Sequence, residues 1–359
     1  MTGLDVDRKN RGIPENEFFF NNFSENLHVF EGCGNVLGVV PLTIAGYDGT
    51  DISWKKDSKL RSILTEWGKK IGSDSVMVLF GDPKKINQQG YDVEMFVFEP
   101  NGNDGSGLGG GISTMCGNGI RAVAAWLKEG DPNKHTFHIL SMSGDRVVRE
   151  ENDLYIVCMG ELADSSSDLS KYVNAGEVTA NKKSRYVDTP IPLDMLASLS
   201  KFTSSTKWSI GLNGTRSLDG TIDGEPHVVI EIPAHEVNSI SELRELAVEA
   251  GPIITKNLEV FPQEINVNFI VIKGFDEESK FEIWNCTHER NLGNDADHSV
   301  TATCGTGSTV AGGFMIEKYN LGDGRTVVVK NTGGDLEISV DQGAKDKELL
   351  MKGPANRVK

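Results

Sequence analysis

Two cysteines sit in matching glycine frames, and most of the chemistry in the chain points to them. The first frame is Ser113-Thr114-Met115-Cys116-Gly117-Asn118-Gly119-Ile120-Arg121, running on into Ala122-Val123-Ala124-Ala125-Trp126-Leu127. The second is Thr303-Cys304-Gly305-Thr306-Gly307-Ser308-Thr309-Val310, running on into Ala311-Gly312-Gly313-Phe314-Met315. Both read Cys-Gly-x-Gly, so the chain repeats one functional unit. Two thiols on opposite sides of a carbon acid can take a proton from one face and return one to the other. That is the chemistry of inverting an amino acid's α-carbon, with one sulfur waiting as thiolate and the other as thiol. A single cysteine would be read as a small buried hydrophobe. Two in repeated frames argue against that, so Cys116 and Cys304 are the catalytic candidates.

Something must aim these sulfurs. Glycines let the backbone turn tightly and bring its N–H groups close to a ligand. The small apolar run behind each frame predicts a buried helix. A helix that begins at such a loop presents unpaired N–H groups and partial positive charge to whatever lies in front of it. That is an anion site, suited to a carboxylate. The same field is expected to favour thiolate over thiol at the helix start. The candidate carboxylate donors are Gly117, Asn118 and Gly119 in one frame, and Gly305, Thr306 and Gly307 in the other.

The rest of the chain supplies strands. Val36 to Leu42, Val76 to Phe80, Val93 to Phe98, His138 to Leu140 and Leu154 to Val157 are apolar or alternating runs. So are Trp208 to Leu212, His227 to Ile232, Val267 to Ile272, Phe281 to Trp284, Thr326 to Val329, Leu336 to Val340 and Leu349 to Met351. Ser58 to Gly68 has helical spacing. Ser239 to Ala250 reads as a helix capped by Ser239 or Ser241, with Leu243, Leu246 and Ala250 on one face. Pro100 to Gly111 is too rich in glycine for regular structure and delivers the chain to Cys116. The expected fold is α+β, with two similar domains, residues 1–140 and 141–359. Each is a mixed or antiparallel sheet wrapped round its own Cys-Gly-x-Gly helix, and the active site lies in the cleft between them.

The 359 residues suffice for two cores. Five scattered cysteines do not make a disulfide framework, which predicts a reducing cytoplasm. Met1 to Phe18 reads as a loose leader without the apolar stretch of a signal peptide, and structure is expected from Phe18-Phe19-Phe20. No apolar run is long enough for a membrane span. A net charge of −16, with no basic cluster, argues against nucleic acid and anionic membranes. The expected partner is a small amino acid; a homodimer is left open. No cofactor is expected, since no pyridoxal lysine motif is evident, and no metal site is read.

The motifs resemble those of the diaminopimelate epimerase family, cofactor-independent amino-acid epimerases that use two cysteines. The resemblance is collinear: Gly34-Asn35, Gly72-Ser73-Asp74, Met115 to Arg121, Met159-Gly160-Glu161, Asn266 to Phe269, Glu289-Arg290, Cys304 to Gly307, Lys330 to Val340 and Met351 to Pro354 follow in the family's order. It implies an epimerase converting LL-diaminopimelate to the meso form. By the same resemblance, Asn35, Asn266, Glu289 and Arg290 contact the substrate, as does one of Asn101 and Asn103, which lie in a loop longer than usual. Alone, each asparagine is more often a turn residue and Glu289-Arg290 more often a surface ion pair.

One departure bears on the substrate. Where the family has Gly-Asn-Pro-His, this chain has Gly224-Glu225-Pro226-His227. Glu225 would repel a distal carboxylate. That motivates an alternative substrate with a cationic side chain, such as histidine, lysine or arginine. His227 reads as a packed histidine rather than a base, and Cys33, Cys158 and Cys286 as structural. A thiol redox protein using Cys116 and Cys304 is a further alternative, against which stands the lack of a Cys-x-x-Cys motif.

Overall fold

The computed structural model describes residues 27–41, 55–80, 90–103, 105–192, 202, 206–216, 222–276, 280–290, 292, 296–321, 324–341 and 348–358. The leader and Phe18-Phe19-Phe20 lie outside them.

The chain begins with a hairpin, β1 His28–Gly32 and β2 Asn35–Pro41. Its two-residue turn has Cys33 at φ 54 and Gly34 at φ 83. Positive φ at both positions matches the twist of the flanking strands. Next come helix α1 Ser58–Lys70 and strands β3 Ser75–Phe80, β4 Val93–Glu99 and β5 Gly111–Ser113. Helix α2 Gly117–Gly130 follows, then β6 Thr136–Ser141, β7 Gly144–Glu151 and β8 Leu154–Ala163. The second half holds β9 Thr189–Pro190, β10 Lys207–Arg216, β11 Ile222–Glu231, α3 Ile240–Thr255, β12 Asn266–Phe275 and β13 Phe281–His288. It closes with α4 Ala296–Ser299, α5 Gly305–Lys318, β14 Val327–Asn331, β15 Gly334–Val340, β16 Leu349–Pro354 and β17 Asn356–Arg357.

Strand pairing closes two rings. In the first, β1, β2, β3, β4, β6, β7 and β8 pair in turn. β8 pairs with β16, and β17, just beyond it, returns to β1. In the second, β8 pairs with β10, and β10 through β15 pair in turn. β15 then pairs with β16 and so returns to β8. Both rings mix parallel and antiparallel pairs. β8 and β16 belong to both.

A helix fills each ring. Gly117 to Ala125 of α2 and Gly305 to Met315 of α5 are buried without a break. A helix buried on all sides must be apolar or small all round, and this is why both runs lack a charged stripe over those residues. Outer helices cover the sheets. Leu60, Leu64 and Trp67 of α1 pack on Val76, Val78 and Phe98. Leu243, Leu246, Ala250 and Ile254 of α3 pack on the core under β12 and β13. The fold is thus the expected α+β arrangement of two similar halves, each a sheet around a central helix.

The division expected at 140/141 falls in the tight turn between β6 and β7, which pair from Thr136–Arg149 to Ser141–Gly144. Both strands belong to the first ring. We place the changeover inside β8 instead, whose start pairs with β7 and whose end, Glu161 to Ala163, pairs with β10.

Candidate active site

The starts of α2 and α5 meet between the two rings. A Cβ built on Gly305 would lie 3.3 Å from the Gly117 Cα and 3.5 Å from the Asn118 nitrogen. A side chain at that position would press on the facing helix start. Each helix is capped by its own cysteine: the Gly119 N–H donates to Cys116 Sγ at 3.3 Å, and the Gly307 N–H donates to Cys304 Sγ at 3.3 Å. The sulfurs take the place usually held by a serine or aspartate oxygen. Gly117 and Asn118, and likewise Gly305 and Thr306, are left with N–H groups that have no acceptor within their helix.

The seam between the halves is tied at Thr303. Its carbonyl accepts from Asn35 Nδ2 at 2.7 Å and from Asn118 Nδ2 at 3.1 Å, and its hydroxyl donates to the Cys33 carbonyl at 2.7 Å. The β1–β2 turn therefore reaches across to the residue that precedes Cys304. Asn118 is fixed in turn by the buried Arg121, whose guanidinium donates to Asn118 Oδ1 at 2.7 Å. Asn35 Oδ1 is buried with no hydrogen-bond partner.

A cavity of about 510 Å³ opens at this seam. Its wall includes Cys116 and Cys304, the helix-start residues Gly117, Asn118, Gly305 and Thr306, and Asn35, Asn101, Asn103, Glu225, Asn266, Glu289 and Arg290. Two expectations fail here. Gly119 is not on the wall: its N–H is spent on Cys116 Sγ, and a Cβ there would lie 2.1 Å from Met77 Sδ. Gly307 is held away in the same manner, with Asn268 Oδ1 at 2.3 Å from its built Cβ. Asn101 and Asn103 reach the cavity only from its exposed rim, and Asn103 Oδ1 accepts from the Gly105 N–H at 2.9 Å.

The thiols are not the acids that helix fields alone would make them. Burial pushes Cys116 up to about 12, with Glu289 and Glu99 adding repulsion. Burial, with Glu289 beside it, also holds Cys304 well above the ordinary thiol value. Desolvation of a thiolate outweighs one N–H donor per sulfur. Burial thus favours the thiol form at both cysteines.

Glu289 couples to both sulfurs. Its carboxylate lies beside the Cys304 thiol and accepts from the Thr301 hydroxyl at 2.5 Å. Burial raises it to about 7. Arg290 is spoken for: its guanidinium donates to Glu225 Oε2 at 3.0 Å and to the Gln263 carbonyl at 2.9 Å. Its backbone N–H donates to Asn266 Oδ1 at 2.9 Å. His227 is buried and pushed down to about 3, by burial first and Arg290 second, so it stays neutral, as a packed histidine should. Cys33, Cys158 and Cys286 are free thiols.

Sequence reading gave no site role to several wall residues, four of which bear on the chemistry. Ser75 lies on the wall and offsets part of the burial at Cys116. Asp74 accepts from the Val36 N–H at 2.7 Å. Thr301 holds Glu289. Glu99, at the end of β4, is raised to about 8, by burial first and then by Glu289 and Glu225. The signal for Glu99 was present: an acid ends an apolar strand just before the glycine-rich passage to Cys116.

Comparison with known proteins agrees with this layout. Residues 222–358 match the family model described as diaminopimelate epimerase. The diaminopimelate epimerase of Bacillus pumilus is 28% identical over 80% of this chain and 82% of its own. That of Methanococcus aeolicus is 26% identical over 92% of this chain and 95% of its own. Among solved structures, a hydroxyproline epimerase from Agrobacterium vitis superposes with a TM-score of 0.53 at 13% identity, covering 93% of this chain and 90% of that one. A PhzF-family phenazine biosynthesis protein from Bacillus anthracis does so with a TM-score of 0.54 at 14% identity, covering 93% and 96%. At such identity these two speak for the fold alone. By the sequence matches, the chain is similar to diaminopimelate epimerases along most of its length, and it is an isomerase of the epimerase and racemase class.

Proposed function

We propose that the protein inverts the α-carbon of an amino acid with Cys116 and Cys304 as its two bases and no pyridoxal cofactor. One observation carries this reading: two thiols, each capping a buried helix, line one cavity where those helices abut. The substrate carboxylate takes the N–H groups of Gly117 and Asn118 on one side and Gly305 and Thr306 on the other. These donors also stabilise the charge that grows on the carboxylate as the α-proton leaves. The α-ammonium sits by Glu289. Its positive charge offsets the repulsion that Glu289 exerts on both sulfurs and so favours one thiolate. That thiolate takes the α-hydrogen as a proton: the C–H bond breaks and an S–H bond forms. The opposite thiol gives its proton to the other face, and its sulfur becomes the thiolate. No electrons change hands overall.

LL-diaminopimelate, the substrate that the relatives' names indicate, is the first substrate to test, with the meso form as product. The ion pair between Glu225 and Arg290 favours a second reading, since it neutralises the guanidinium that would clamp a distal carboxylate. In that reading the substrate is an amino acid with a cationic side chain, such as histidine, lysine or arginine.

Solvent deuterium exchange at the α-carbon tests both. Purified protein is to incorporate deuterium into at least one of these amino acids. Cys116→Ala or Cys304→Ala is to lower racemisation by about 10²–10⁴-fold, the usual worth of a positioned acid or base. Turnover at the wild-type rate by either variant would refute the two-base scheme. Diaminopimelate exchanging faster than lysine would remove the second reading.

A further inference from the structure

The cavity wall is more acidic than a zwitterion needs. Among the described residues it carries the carboxyl groups of Asp74, Glu99, Glu225 and Glu289 against the guanidinium of Arg290. Two of the four are tied within the protein. Asp74 accepts from the Val36 N–H, and Glu225 accepts from Arg290 at 3.0 Å and from the Thr114 hydroxyl at 2.9 Å. Glu289 stands beside the Cys304 thiol, at the reacting carbon. Glu99 remains. It comes from β4 of the first ring, pairs across from Gly111, and has the Ser113 hydroxyl in reach. Its Oε2 lies beside Gly102, in the loop whose Asn101 and Asn103 form the cavity's exposed rim. Those relations put it toward the side-chain end of a bound amino acid rather than at the α-carbon.

Resting on the two-cysteine reading, we infer that Glu99 determines specificity by pairing with a cation, an ammonium or guanidinium, at the end of the substrate side chain. A cation there does what no group among the described residues does: it neutralises a carboxylate enclosed with two others. The neighbouring backbone supports the placement. A Cβ on Gly102 would lie 3.1 Å from Glu99 Oε2, so the glycine keeps room for the carboxylate where the loop turns toward the cavity.

The test compares L-lysine, L-ornithine and L-arginine with L-norleucine, which has the lysine skeleton without its charge. Deuterium exchange is to give a kcat/KM for lysine at least tenfold above norleucine. Glu99→Gln is to bring that ratio to within twofold, and Glu99→Asp is to keep most of it. A wild-type ratio within twofold, or a Glu99→Gln variant that keeps the tenfold preference, would overturn the inference. Calorimetric binding of lysine and norleucine to the wild-type protein gives an arm that does not require turnover. Binding of lysine alone supports the role of Glu99, and equal or absent binding of both refutes it. No exchange with any amino acid, alongside tight lysine binding, would instead sink the two-cysteine reading and leave this one standing.

Discussion

Thr306 shows how much one hydroxyl can do at this site. His227 Nδ1 lies 3.0 Å from Asn268 Nδ2, and its Nε2 lies 3.1 Å from Thr306 Oγ1 and 3.4 Å from Asn266 Nδ2. Thr306 Oγ1 lies 3.3 Å from Cys304 Sγ, and its hydroxyl offsets part of the burial that holds the thiol up. Thr306→Val is expected to lower kcat about tenfold and to shift the alkaline limb of the pH–rate profile upward, with Thr306→Ser restoring both. An unmoved profile would show Thr306 to be packing only. Glu99 and Glu289 make a second test, by stability. Their folded values, about 8 and about 7, lie above the 4.5 of a free carboxyl. Between those limits the folded chain holds more protons than the unfolded one, so stability falls as pH rises. Neutral buried His227 and His288 tilt the curve the other way, but only below about 6.5. Melting temperature should therefore drop from pH 6.5 to 8, and Glu99→Gln should flatten the drop. An equal slope in the variant would show that Glu99 is not the group responsible.

At the scale of elements, the two inner helices were legible because their sequences admit nothing else: small and apolar residues on every face need burial on every face. Their mutual approach was not. It depends on Gly117 and Gly305 lying side by side, which no local pattern encodes. Gly305→Ala should push the helix starts apart, since its Cβ would also meet Met351 Sδ at 3.2 Å. The expected outcome is a kcat reduced tenfold or more with a melting temperature lowered by a few degrees, read by exchange kinetics and calorimetry; unchanged kcat would mean the close approach is incidental. Helix α3 teaches the opposite lesson. Gly251-Pro252 reads as a stop after Ala250, yet the helix runs to Thr255. Gly251 lies against the His288 ring, where a Cβ would come within 2.4 Å, and Ile254 still reaches the core. Tertiary packing outweighs the break that the proline would otherwise make.

For the molecule as a whole, β8 and β16 matter most because each closes both rings. Met351 of β16 lies under both helix starts: its Cε would be 2.8 Å from a Cβ on Gly117, and its Sδ 3.2 Å from one on Gly305. It is fully buried. Met351→Ala should cost about 2–5 kcal/mol, the range for a core methionine, and slow exchange from both enantiomers alike, because both thiols ride on the helices it supports. A loss confined to one direction would contradict that. The sequence by itself determined the repeated cysteine unit, the central helices, most of the strands, and the likeness to diaminopimelate epimerases, because those follow from local pattern and from motifs whose residue types are tied to one chemistry. Only the tertiary structure decided where the halves part, that Gly119 caps a sulfur instead of facing the cavity, that burial overrides the helix field at both thiols, that Arg290 is already paired, and that Glu99 stands in the cavity. Each of those is set by distances and desolvation between groups far apart along the chain, which no spacing within it can express.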